Sequence, residues 1–199
     1  MSVSHLGGLT RSRSNSANSK GRLRAYPIQN SHQVALYSGG PVKLSAGTLD
    51  VATNAAAVLG VARSFHWIDK TTGQPQYNKF IPATTSNKNS GYNEGFTTPF
   101  ALVDDDPMGT FIIATETSVS AGNLGALARV TNAGAGSAVT GRSAAKADLS
   151  GTAVSAGDSM FRIVGVYKIS EITSAGGEDN NWNSPSTLLE VSFQNHLFN

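Results

Sequence analysis

The chain has 199 residues with 15 Lys+Arg, 13 Asp+Glu and no cysteine. The lack of cysteine excludes disulfide frameworks, thiolate metal sites and cysteine nucleophiles. Residues 1–49 hold Arg11, Arg13, Lys20, Arg22, Arg24 and Lys43 against no acid, a net of +6, whereas residues 50–199 set nine cations against 13 acids, a net of −4. Such asymmetry predicts a basic arm built to lie on a partner and a body that folds by itself.

From Met1 to Asn30 the large apolar residues are few: Val3, Leu6, Leu9, Leu23, Tyr26 and Ile28, set among Ser, Asn, Arg and Gly. Such a segment lacks the apolar surface to offset an ordering entropy of roughly 1–2 kcal/mol per residue. Residues 1–30 are therefore expected to form an extended arm, disordered when free and ordered on a partner surface. Leu6, Leu9, Leu23, Tyr26 and Ile28 are its expected anchors, each contributing roughly 1.5–3 kcal/mol when fully buried. Arg11, Arg13, Arg22 and Arg24 are expected to guide register, because exposed ion pairs contribute only about 0–1 kcal/mol each. The cations are too sparse, and aromatic residues too few among them, to make nucleic acid the expected partner. No apolar core of signal-peptide type follows the first charges, and no stretch reaches the roughly 18 apolar residues of a membrane span. The expectation is a soluble chain without membrane contact.

Residues 31–199 read as one all-β body, a β-sandwich or jelly-roll-like barrel. No window sustains helical periodicity, and Gly, Ser, Thr and Asn interrupt every candidate helix, including the Ala-rich stretch at 51–58. β-Branched and aromatic runs predict strands at 33–37, 41–44, 58–65, 77–81, 110–115, 126–130, 160–169 and 187–193. The continuous apolar centre of 160–169 predicts a strand buried on both faces. The alternation in 189–193 predicts one wet face. Polar, glycine-punctuated connections at 70–92 and 174–183 are long enough to be functional or ordered by a partner. Residues 131–159, rich in Ala, Gly, Ser and Thr, suit tight sheet packing.

Sites of chemistry are scarce. Asp104-Asp-Asp-Pro-Met-Gly109 is the densest acidic cluster, but consecutive carboxylates cannot converge on one cation, so a solvated turn is the expectation. His5, His32, His66 and His196 show no ligand spacing, and neither a nucleophile elbow nor a phosphate-cradling glycine loop is present. No enzyme activity, cofactor or metal is expected. In Phe65-His-Trp67 the aromatic side chains are expected at a core edge or an interface. Trp182, in a polar loop, is a second candidate interface anchor.

The runs Gly39-Gly-Pro-Val-Lys-Leu44 and Val58-Leu-Gly-Val-Ala62, with the later Ala156-Gly-Asp-Ser-Met-Phe-Arg-Ile-Val-Gly-Val166, resemble tailed-phage capsid cement (head decoration) proteins. The resemblance covers about 30 residues closely and the rest of the body loosely. The resemblance implies a β-rich module on the outer surface of the virion head, stabilising the shell against the packed genome after assembly in the host cytoplasm. It implies the major capsid protein as partner and a homo-oligomer, a trimer ahead of a dimer because shells present many three-fold positions. The alternative is a tail- or surface-associated glycan-binding β-module that uses Trp67 or Trp182. The arm separates the two, since 30 extended residues at ~3.3 Å each reach ~100 Å, onto a neighbouring capsomer.

Overall fold

The computed structural model describes residues 7–12, 23–29, 32–54, 56–69, 72–83, 98–150, 155–167, 182–183 and 187–198. Short β-branched and aromatic segments between Gly, Pro and Asn turns give two six-stranded sheets. The first runs β1 (Thr10–Arg11), β10 (Thr110–Ala114), β16 (Leu188–Phe193), β15 (Phe161–Val166), β11 (Leu127–Thr131) and β14 (Lys146–Asp148). The second runs β2 (Leu23–Pro27), β9 (Phe100–Asp104), β6 (Gly60–Ile68), β4 (Pro41–Ser45) and β5 (Thr48–Val51), with β7 (Pro75–Asn78) pairing the far half of β6. Two short ribbons join β3 (Leu36–Tyr37) to β8 (Phe80–Ile81) and β12 (Gly136–Ser137) to β13 (Arg142–Ser143). Neighbouring strands in each sheet are antiparallel. The architecture is all-β and sandwich-like, as the residue pattern predicts.

Two apolar cores follow from alternation along the strands. The first gathers Phe111, Ile113, Phe161, Ile163, Val191 and Phe193 from the first sheet. Phe193 lies 5.2 Å from Phe111 and 5.8 Å from Phe161 between ring centroids. The second gathers Ile28, Leu36, Val42, Leu49, Phe65, Ile81, Ala101 and Val103 around the second sheet. β6 serves both: Val61 enters the first core and Ala62 the second. A β-bulge between Ala62 and Ser64, against β9, then shifts the alternation by one residue. Phe65 consequently stays in the second core, and His66 shares the face of Val61 without joining the first core. A Cβ on Gly60 would lie 2.1 Å from the Asp104 carbonyl oxygen, so glycine alone permits this approach of β6 to β9.

Two expectations need correction. The strand buried on both faces is the start of β6, not 160–169. In β15, Phe161 and Ile163 point inward, while Arg162 and Val164 face solvent. In β16 the predicted alternation holds, with Leu189, Val191 and Phe193 buried. The division at residue 30 has no counterpart among the described residues: β1 pairs β10 and β2 pairs β9 along their whole lengths. The arm residues Leu6, Arg13, Lys20 and Arg22 lie outside the described residues, as do 70–71 and 84–92 of the first long connection and 174–181 of the second.

Candidate functional site

Arg63, in the bulge of β6, stands between two cationic clusters. In the first, Arg11 projects from β1, donating through Nη1 to Asp104 Oδ1 at 2.6 Å and through Nη2 to Asp106 Oδ2 at 2.5 Å. Arg63 donates through Nη2 to Asp104 Oδ2 at 3.1 Å and through Nη1 to the Leu9 carbonyl at 3.3 Å. The Asp104 carboxylate, on a residue only 2% exposed, is thus held by one guanidinium from each sheet. The neighbouring Asp105 is equally buried. It accepts from the Tyr26 hydroxyl at 2.6 Å, and Arg24 Nε lies 3.6 Å from the same oxygen. Burial, then the bond to Asp105, raises the Tyr26 pKa. His196 feels the fields of Asp105 and Asp106, yet burial lowers its pKa.

The acidic run is therefore not the solvated turn expected from its composition. A turn is present, closed by the Gly109 N–H to the Asp106 carbonyl at 3.0 Å, with Met108 exposed. Asp104 is a buried ion-pair partner that joins the two sheets, and Asp105 a buried partner of Arg24 and Tyr26 within the second. Charges withdrawn from water this way are tolerated because each finds a counter-charge or hydroxyl. Among the described residues no group of three or more His, Asp or Glu is placed to hold a metal ion, and no helix is long and apolar enough to cross a membrane.

The second cluster lines a cleft of about 220 Å³ walled by Gly7, Gly8, Leu9, Thr10, Ser38 and Gly39, with Arg63, Lys79 and Arg142 as its cations. Backbone bonds hold this cleft together. The Ser38 N–H donates to the carbonyls of Lys79 at 2.7 Å and Gly141 at 3.0 Å, and the Ser38 carbonyl accepts from Ser143 at 2.9 Å. Gly141 has φ 68°, and a Cβ there would sit 2.4 Å from that of Lys79. Glycine thus lets the β12–β13 turn close onto Lys79 and bring Arg142 beside it.

An aromatic shelf crosses β7, β6 and β9. Tyr77, His66 and Phe100 are direct cross-strand neighbours. The His66 ring stacks on Phe100 at 4.7 Å and meets the edge of Tyr77 at 4.6 Å. Together with Trp67 they bound a notch of about 180 Å³. An open groove of about 690 Å³ joins shelf to cleft, because Arg63 and Lys79 line groove and cleft while His66 and Tyr77 line groove and notch.

The expected anchors have divergent placements. Leu9 and Ile28 are buried in this chain's own two cores, Tyr26 packs against the second, and Arg11 and Arg24 face this chain's own acids. These residues hold the fold together rather than standing free for a partner, because the acidic surface the arm needs is supplied by β9. Leu23, 53% exposed, remains available. Trp67 lines the shelf notch and packs on the second core; Trp182 packs against the first core. Phe65 is core, while His66 and Trp67 lie at the core edge as expected. Residue-type reasoning missed Arg63, Lys79, Arg142, Tyr77 and Phe100. Aromatic residues at the ends of segments bounded by Pro75 and Pro99 were the available signal for the last two. No protein-family model, curated protein or solved structure matches the chain.

Proposed function

We propose that the protein is a capsid cement (head decoration) subunit, bound to the major capsid protein on the outside of a tailed-phage head and acting by adhesion rather than catalysis. The observation that carries this reading is the aromatic shelf. Tyr77 is 72% exposed, yet its ring is fixed by cross-strand contact with His66, which suits a preorganised interface anchor. The stretches that resemble cement proteins also meet in space: 39–44 enters β4 and 58–62 enters β6, and Pro41 pairs with Val61. Charged residues make up only 14% of the chain, which favours burial of surface in a homo-oligomer, with a trimer matched to three-fold shell positions.

The test is co-sedimentation with genome-filled heads. Wild type is retained, and a Tyr77→Ser/Phe100→Ser variant, still folded, is lost. Failure of wild type to co-sediment, or full retention of the variant, contradicts the reading. The glycan-binding alternative draws on the same shelf, where Trp67 joins three other rings. Selective glycan capture abolished by Tyr77→Ser, without head binding, would establish that alternative instead.

A further inference from the structure

Six of the described cations face carboxylates: Arg11, Arg24, Lys43, Arg63, Arg129 and Lys146. Arg162 bonds the Gln194 side-chain oxygen at 3.0 Å and the Gly125 carbonyl at 3.2 Å. That leaves Lys79 and Arg142, which have no carboxylate partner among the described residues, and both line the glycine-walled cleft. Among the described residues no acid lines that cleft.

The walls leave side chains as the donors. The N–H of Gly8 is committed to the Ala145 carbonyl at 2.9 Å, that of Leu9 to Gly39 at 2.7 Å, and that of Gly39 to Ala62 at 2.8 Å. Arg63 also lines the cleft, but its guanidinium is already paired with Asp104 and bonded to the Leu9 carbonyl. Lys79 and Arg142 supply the ammonium and guanidinium donors that no described carboxylate engages. A cleft lined by these two cations and by no described acid, on a hydrogen-bonded backbone, fits an oxyanion, which charge-assisted hydrogen bonds bind best.

We propose that this cleft is a carboxylate-binding subsite that receives an Asp or Glu side chain from an acidic segment of the shell protein. The proposal rests on the cement reading above. Charge complementarity identifies the occupant. The groove linking cleft to shelf makes the two one surface, with aromatic anchorage at one end and a charge lock at the other. A lock of this kind sets register and encounter, whereas the shelf supplies most of the retention.

The test titrates the isotope-labelled full chain with acetylated tetraglutamate, and separately with tetraglutamine, inorganic sulfate and a sulfated tetrasaccharide, following Lys79, Gly141 and Arg142 by NMR. Tetraglutamate should give saturable, salt-sensitive shifts at these residues, tetraglutamine none, and Lys79→Ser/Arg142→Ser should weaken binding at least about tenfold. On filled heads that variant should remain partly bound and lose most of the salt dependence of retention. No saturable shift with tetraglutamate, or equal shifts with tetraglutamine, overturns the proposal. Sulfate alone binding at the cleft, or the tetrasaccharide binding tenfold tighter than the peptide, overturns it in favour of a free-anion or saccharide site. If wild type binds tetraglutamate at the cleft but not filled heads, the cement reading fails and the shell segment with it, leaving only the carboxylate chemistry. If it binds heads with retention unaltered in the double variant, the subsite alone fails.

Discussion

Arg63 touches two cationic clusters with opposite outcomes. Towards Asp104 it completes a buried network with Arg11, in which every guanidinium meets an acid and two sheets are joined. Towards Lys79 and Arg142 it borders a cleft that no described acid lines. The first cluster is filled from within the chain because β1 and β9 bring a basic and an acidic segment together. The second is left open because the β12–β13 turn brings cation to cation. Net charge by segment therefore misleads about docking: the +6 leader contributes Arg11 and Arg24 to internal pairs, while the −4 body holds the open cations.

The sharpest way to break this comparison is at Asp104. Asp104→Ala leaves Arg11 and Arg63 partly buried without their shared counter-charge, and should cost about 3–5 kcal/mol in urea denaturation. A loss under about 1 kcal/mol would show that the network is solvated and no different in kind from the cleft.

A smaller effect comes from pH. Burial lowers the pKa values of His32 and His196 below the ordinary 6.5. The unfolded chain then binds protons that the folded chain refuses, so stability is full above about pH 6.5 and falls as pH drops towards the folded-state values. The slope is at most about 1.4 kcal/mol per pH unit for each histidine. Denaturation between pH 7.5 and 5.5 should show this decline, and His196→Gln should flatten it. An unchanged slope in that variant would show that burial does not depress the His196 pKa.

The smallest effect is expected at the open cluster. Lys79→Ser and Arg142→Ser should each shift stability by less than about 0.5 kcal/mol, as exposed substitutions away from buried partners do. A loss above about 2 kcal/mol in thermal or urea unfolding would mean that the cleft is a structural ion site like the first.

Much of this fold is written in local pattern. Alternation marks β16, the Val-Lys-Leu run marks β4, and missing helical periodicity marks the class. The β4–β5 hairpin shows its turn in Ala46-Gly47, both at positive φ. β9 escapes notice because its acidic end resembles a turn, and only pairing with β2 and β6 shows that Asp104 lies between sheets. The arm looks unable to fold because its apolar residues are counted alone; Leu9 and Ile28 enter cores built by residues far along the chain. The bulge in β6 likewise reverses which of Phe65 and His66 is buried, a change of parity that no composition reveals. A cleft made by five separate segments, with Lys79 beside Arg142, is not local at all.

The most direct test of the central claim, that residues 7–12 of the leader are built into the fold, is amide hydrogen exchange on the free chain. The Leu9 N–H donates to the Gly39 carbonyl at 2.7 Å and the Ser12 N–H to Thr110 at 3.0 Å. Both amides should exchange as slowly as those of β10 and β16, through global opening. Exchange of Leu9 and Ser12 at unprotected rates, with β10 and β16 still protected, would contradict the account and return the leader to an arm that folds only on its partner.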